Sequence, residues 1–323
     1  MEAQAFKAEK ANFTAWLTEL SGGQLDELKS ELMQCTSLAD CLAIIEERGR
    51  KLLACPHCGG EKLYRHGCTY YGLQRYRCRQ CTRSFNALTN TPLAFIRLRE
   101  KWLPFLQCML GSMTVRAAAE ATGIHRNTSF RWRHRFLAMA KEDRPRPLQG
   151  IVEADETYLL ESQKGSRRLT RPARRRGGKS RRRGINGDHD CILVARDRGG
   201  RTCDFVAGRG PVTAEQLSVC LRPVLAPNVL LATDSAAAYR TFAQAAGIEH
   251  RALNLRQGIR VRGLIHVQNV NRYHSLFKNW LLRFHGVASR YLPHYLGWIH
   301  ELQRRPVSKP QQFLRAALFP AVS

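Results

Sequence analysis

Two short cysteine knuckles constrain this chain more than any other feature. Cys55-Pro56-His57-Cys58 and Cys78-Arg79-Gln80-Cys81 each set two thiolates three positions apart, with 19 residues between the pairs. Two intervening residues let one tight turn aim both sulfurs at a single ion, and two such turns close a tetrahedral site at about 2.3 Å per Zn–S bond. Gly59-Gly60 supplies backbone freedom directly after the first knuckle. Four thiolates leave no open coordination position, so the expected Zn2+ is structural. Residues 55–81 are therefore read as a four-cysteine zinc ribbon, with a redox pair as the rival. His57, His66 and Cys68 stand nearby as bystanders or replacement ligands. Arg65, Arg75, Arg77, Arg79 and Arg83 interleave with Tyr64, Tyr70, Tyr71 and Tyr76, a pattern suited to a phosphate-contacting face.

Charge narrows the partner. Lys and Arg number 52 against 26 acidic residues, a formal net charge of +26 that calls for a polyanion, DNA or RNA. No run approaches the roughly 18 apolar residues of a membrane span, so no membrane partner is expected. Met1 to Lys10 carries charges and no apolar core, unlike a secretory signal. The remaining cysteines (Cys35, Cys41, Cys68, Cys108, Cys191, Cys203, Cys220) are scattered and odd in number, which suits a reducing cytoplasm over a disulfide framework.

At 323 residues and 44% hydrophobic content, two or three packed domains are expected. Residues 1–50 read as a small helical region, a cap without chemistry of its own. Ser21-Gly22-Gly23 breaks a first helix from a second bearing Leu25, Leu28 and Leu32, and Thr36, Ser37 and Asp40 start a third that ends near Arg48-Gly49. The ribbon occupies 51–92 and a helical region 93–146, closed by a linker marked by Pro145, Pro147 and Gly150. Over 147–302, strands at 151–159, 192–196, 203–207 and 229–233 alternate with helices at 213–221, from Ala236, and at 267–284, which indicates a mixed α/β domain. The tail, 303–323, holds Pro306, Pro310 and Pro320 and is expected to be partly ordered at best.

Three segments carry candidate chemistry. Residues 114–124 form one helix closed by a turn at Gly123, and 126–136 a second with a basic front edge. Ile124, Trp132 and Phe136 pack inward, leaving Arg126, Asn127, Ser129 and Arg133 to reach bases or phosphates as in a helix-turn-helix. A plain packed hairpin would give the same pattern. Residues 164–184 are an Arg-rich insertion, with 11 basic and no acidic residues between Lys164 and Arg183. So like-charged a block makes a mobile loop or hairpin. Its Arg174, Arg175, Arg176, Lys179, Arg181, Arg182 and Arg183 read as a DNA clamp beside an active site, or else as a solvated face or localisation signal.

Ile151-Val152-Glu153-Ala154-Asp155-Glu156 turns abruptly from apolar to acidic within one strand, and Val229-Leu230-Leu231-Ala232-Thr233-Asp234 repeats the plan. Carboxylates on buried strands are costly without compensation, and a divalent cation is the usual compensator. Side by side, Asp155 and Asp234 would share Mg2+ or Mn2+ and act on one phosphate. Singly, each is a turn or cap as readily as a ligand. Asn271 and Lys278 lie two helical turns apart, about 10.5 Å of rise, on one face of the next helix.

These motifs together make the chain resemble the bacterial insertion-sequence transposases that join an N-terminal zinc ribbon and helix-turn-helix to a DDE-type, RNase H-like catalytic domain. The resemblance covers roughly residues 50–300 and rests on Cys55-Pro-x-Cys58, Cys78-x-x-Cys81, Ala154-Asp155-Glu156-Thr157-Tyr158, Thr233-Asp234-Ser235 with Tyr239, and the Asn271–Lys278 helix. It implies a multidomain α+β protein ending in an α/β catalytic domain with a mixed sheet, in a nucleoid-associated cytoplasmic setting. It also implies metal-dependent cleavage of double-stranded DNA at element ends, transfer into target DNA, and a homo-oligomer on DNA. Asp155, Asp234 and Asn271 would be the Mg2+ ligands and Lys278 a phosphate-positioning cation. The family's usual third residue is Glu; here it is Asn271, with Asn269, His266 and His274 as nearby substitutes. Glu156 is expected on the opposite strand face. Two rivals remain, a non-catalytic DNA-binding regulator and an RNA-acting nuclease.

Overall fold

The structure is a computed structural model and describes residues 3–138, 147–175, 177–253, 257–258, 261–304 and 309–319. It divides into two compact units, 1–130 with 307–319 and 131–306 with 320–323.

The first unit begins with helices α1 (Ala3–Glu19) and α2 (Gly22–Arg50). Ser21 starts α2 with a capping box, its side chain taking the Gln24 amide while Gln24 Oε1 accepts from the Ser21 amide at 2.9 Å. The expected second and third helices are one: Thr36 stays helical because its hydroxyl bonds back to the Leu32 carbonyl at 2.9 Å. A three-stranded antiparallel sheet follows, β1 (Leu63–Cys68), β2 (Gln74–Cys78) and β3 (Ser84–Asn86), in that order. Helices α3 (Trp102–Leu110), α4 (Val115–Thr122) and α5 (Arg126–Phe136) come next, the division between units falling within α5. Thr114 caps α4, and Gly123 ends it in the left-handed conformation, φ 60°.

The second unit is built on a five-stranded sheet of β4 (Ile151–Leu160), β5 (His189–Asp197), β6 (Thr202–Arg209), β7 (Leu230–Asp234) and β8 (Glu249–Leu253). Its order is β6-β5-β4-β7-β8, antiparallel on the β6 side of β4 and parallel on the β8 side. This is the mixed sheet expected of an RNase H-like domain. Helices α6 (Ala214–Leu221) and α7 (Ala237–Ala246) cover one face, where Val152, Ala154, Leu193, Leu217 and Phe242 share a core. A short hairpin, β9 (Val261–Arg262) and β10 (Ile265–His266), leads into α8 (Gln268–Leu282), which packs on β4 and β5, while α9 (Leu292–Arg304) packs on β6.

The C-terminal segment departs from expectation. Helix α10 (Pro310–Leu318) is a full helix that packs on α2 and α3 within the first unit, burying Phe313, Leu314 and Leu318. Pro310 opens it at a position where the missing amide costs nothing, and Arg315 pairs with Glu47.

Candidate functional site

The cysteine knuckles form one compact cluster. The four sulfurs of Cys55, Cys58, Cys78 and Cys81 lie within 4.8 Å of one another, with Cys55–Cys81 at 3.6 Å and Cys58–Cys78 at 3.7 Å. Tetrahedral thiolates about 2.3 Å from one ion are about 3.8 Å apart, so the set fits a single metal ion. The two turns repeat each other. The Cys55 amide donates to the Gly60 carbonyl and the Cys78 amide to the Arg83 carbonyl. The His57 and Gln80 amides point at the sulfurs of Cys55 and Cys78, at 3.4 and 3.3 Å. Gly59 and Thr82, each directly after the second cysteine of its knuckle, both take positive φ. Around the cluster Arg79 stacks over Tyr64, and Tyr70 is 95% exposed.

The hairpin of α4 and α5 turns out differently from its reading as a row of polar contacts. Ile124, Trp132 and Phe136 are buried as expected, and Arg126 and Asn127 are exposed at the start of α5. Ser129, expected at a groove, is fully buried and donates to the Val115 carbonyl at 2.9 Å, pinning the two helices together. Arg133 is likewise buried. Its guanidinium lies over Trp298 at 4.9 Å and Phe284 at 5.6 Å and meets the Tyr295 hydroxyl at 3.3 Å. Neither residue offers its side chain to DNA.

In the second unit, β4 and β7 run parallel with Ile151 opposite Leu230 and Glu153 opposite Ala232, a register that carries Asp155, in the middle of β4, level with Asp234 at the end of β7. Burial and then Glu156 push the Asp155 carboxyl up to about 7, Asp234 adding to the rise while Lys278 opposes it. Asp155, Asp234 and Lys278 are thus within electrostatic reach of one another. Asn271 and Lys278 are both exposed on α8. Among the described residues, the four cysteines are the one cluster of three or more His, Cys, Asp or Glu that could hold an ion. Carboxylate oxygens are hard donors of the kind that suit Mg2+ or Mn2+.

The alternation along β4 divides the labour. Glu156 faces the α6–α7 side, as expected. Burial raises the pKa of its carboxyl, although the hydroxyls of Tyr239, at 2.5 Å, and Tyr158, at 3.1 Å, donate to it. Tyr239 follows Asp234 on α7, so this contact ties the end of β7 to β4. Glu153 faces α8 and is fully buried. Its Oε2 accepts from the amides of Asn269 (2.8 Å) and Val270 (3.2 Å), its Oε1 from Asn269 Nδ2 (2.6 Å), and Arg198 pairs with it. Sequence reasoning gave Glu153 no role. Its place two residues before Asp155 on one strand face was the available signal. Arg198 had none.

Of the Arg-rich insertion, Arg175, Lys179, Arg181, Arg182 and Arg183 are exposed, and Arg176 lies outside the described residues. Arg174 is engaged internally: it donates to the Glu161 carbonyl at 2.7 Å and pairs with Asp188 at 2.9 Å. The buried Glu161 also takes Arg171 at 2.7 Å. Lys164 bonds the carbonyls of His285 and Gly286, so the base of the insertion is moored rather than loose.

Residues 147–300 match the ISXO2-like transposase domain. An uncharacterized protein in transposable element ISH50 of Halobacterium salinarum is 29% identical over 267 residues, covering 81% of this chain and 89% of that protein. That relative is archaeal, whereas the sequence resemblance was to bacterial elements. Two solved structures are also similar. A simian T-cell lymphotropic virus intasome in complex with a PP2A regulatory subunit shows 11% identity over 60% of this chain and 66% of that one, TM-score 0.30. A pre-cleavage Mos1 transpososome shows 13% identity over 66% and 76%, TM-score 0.21. Among the described residues no helix is long and apolar enough to cross a membrane.

Proposed function

We propose that this chain, whose residues 147–300 match the ISXO2-like transposase domain, is a DNA transposase of an insertion sequence, one that binds element ends and cuts and joins DNA strands with a divalent metal. One observation carries the reading: the parallel register of β4 and β7, which sets Asp155 beside Asp234 under the helix that bears Asn271 and Lys278.

Asp155 and Asp234 would hold Mg2+ or Mn2+, with the Asn271 amide oxygen as third donor. Bound there, such an ion would supply Lewis-acid chemistry for phosphodiester cleavage and joining. Asp155, whose carboxyl burial and the neighbouring Glu156 push up to about 7, would have to give up its proton to hold the ion. Lys278 sets a positive charge toward the scissile phosphate. Glu156, held by Tyr158 and Tyr239, keeps the two aspartate-bearing strands in register.

The four-cysteine cluster would hold a structural Zn2+, since its closed thiolate set has the spacing for one tetrahedral ion. Arg126 and Asn127, at the exposed start of α5, would contact element-end DNA in the manner of a recognition helix. Arg175, Lys179, Arg181, Arg182 and Arg183 would clamp the duplex backbone. Two element ends are cut in one event, so the working form is a homo-oligomer on DNA.

The test is strand cleavage and transfer on a duplex carrying an element end, with Mg2+ or Mn2+. Asp155→Asn and Asp234→Asn should each lower both steps by about 10²-fold or more while duplex binding survives; cleavage near the wild-type rate in either variant defeats the reading. The neutral Asn271 favours a second reading, a DNA-binding regulator without catalysis. Tight duplex binding by the wild type with no strand cleavage at any Mn2+ concentration would establish it.

A further inference from the structure

Helix α8 starts without a cap of its own. Its N-cap residue, Val267, has no side-chain acceptor, and the first amide to find a partner inside the helix is that of Asn271, which donates to the Val267 carbonyl at 3.1 Å. The three amides before it need acceptors from elsewhere. Gln268 finds His266 Nδ1 at 3.3 Å. Asn269 and Val270 find a carboxylate oxygen of Glu153, 116 and 117 residues away in the chain. Glu153 Oε1 also takes Asn269 Nδ2, and Arg198 pairs with the carboxylate while its Nη2 donates to the Leu264 carbonyl at 2.7 Å in the β9–β10 turn.

We infer that Glu153 is a positioning residue: it caps α8 from strand β4 and thereby fixes where Asn271 and Lys278 stand relative to Asp155. The inference rests on the transposase reading above and deepens it. The geometry is direct. Glu153 and Asp155 share one face of β4, while Asn269 and Asn271 lie two residues apart in the first turn of α8, so one buried carboxylate links the two halves of the site over four residues. The chemistry gives the link a purpose. A carboxylate at the third position would be drawn to a cation by charge; an amide is drawn far less and depends on being placed in advance. Glu153 is saturated by backbone and side-chain donors, so it cannot itself supply the charge that Asn271 lacks. A negative group at a helix start also complements the helix dipole.

Glu153→Gln tests this. One carboxylate oxygen becomes an NH2, which faces donors where an acceptor is required. Amide exchange at Asn269 and Val270 should accelerate by at least about tenfold, while the Val194 amide in β5 keeps its protection. Mn2+ titration of the protein should show weaker binding, and turnover at saturating metal should fall about tenfold or more with duplex affinity within about twofold of wild type. Should Glu153→Gln fold poorly, Asn269→Ala removes the Nδ2 contact alone and should lower turnover about threefold, duplex binding again preserved. Unchanged exchange at Asn269 and Val270, or wild-type turnover in the folded variant, overturns the inference. The two failures are distinguishable: if Asp155→Asn still cleaves near the wild-type rate, the transposase reading falls; if Asp155→Asn is impaired and Glu153→Gln is fully active, the positioning role alone falls.

Discussion

The two candidate metal sites of this protein are held by opposite means. The cysteine cluster is closed within 27 residues, counting from Cys55 to Cys81, by two turns that repeat each other's hydrogen bonds down to the positive φ that follows each. The proposed carboxylate site would draw on β4, β7 and α8, from Asp155 to Lys278, beside two carboxylates held by long-range hydrogen bonds, the buried Glu153 toward α8 and the half-buried Glu156 toward α7. Local turns make a site that needs its ion to complete a small core. Long-range hydrogen bonds hold carboxylates in place without an ion. Removing a ligand should therefore unfold the first and relax the second.

The sharpest way to break that contrast is Cys58→Ser. Structural zinc contributes on the order of 10 kcal/mol to small thiolate modules, so metal content measured by elemental analysis should drop from about one ion per chain to none and the β1–β3 sheet should lose its amide protection. A variant that retains both would make the cluster a bystander. Asp155→Asn should do the reverse: strand cleavage lower by about 10²-fold or more, yet a metal-free fold at least as stable at neutral pH, read by thermal melting. A large loss of stability in this variant would mean that the carboxylate is structural.

Arg133→Ala and Arg126→Ala extend the comparison to α5. Arg133 is caged by Trp298, Phe284 and Tyr295, so its removal should destabilise by about 2–3 kcal/mol in denaturant titration. Arg126 is exposed, and its loss should leave stability within about 0.5 kcal/mol while weakening duplex binding. Equal stability losses would remove the distinction. A smaller effect follows from Asp155's raised pKa. A carboxyl moved from 3.8 to about 7 favours its protonated form in the fold, so its stabilising contribution is complete below pH 3.8 and lost as pH rises through about 7. Melting curves of metal-free wild type and Asp155→Asn should accordingly diverge above pH 4, the wild type falling behind, while divalent metal binding tightens with pH up to about 7. Smallest of all, Arg182→Ala should reduce the slope of log affinity against log salt by about one and leave sequence preference intact.

Much of the candidate site was legible in the chain, and the reasons differ by residue. Asp155 and Asp234 stood out because each ends an apolar run, a local conflict of charge with burial. Ser129 and Arg133 misled for the complementary reason. On a polar helix edge they look like readers of DNA, yet one hydroxyl bonds a neighbouring helix and one guanidinium lies among aromatic rings supplied by residues 284–298. Thr36 and Ser37 suggested a helix start because their hydroxyls suit caps; inside α2 the Thr36 hydroxyl bonds back to its own helix instead. Arg174 was one cation in a basic run until Glu161 and Asp188 met it.

By itself the sequence determined the four-thiolate cluster, the strand and helix alternation after residue 147, and which aspartates follow apolar runs. These follow from spacing and periodicity, which act over a few residues and survive in a linear string. Only the tertiary structure decided that β4 lies between β5 and β7, that α10 returns to α2 and α3, and that Glu153 rather than a local cap starts α8. Such pairings join groups far apart in the chain, Glu153 with Ala232 across the sheet and Glu153 with Asn269 across 116 residues. Their partners are chosen by burial: a charged or polar group removed from water must find whichever complementary group the fold brings near, and no local pattern records which one that will be.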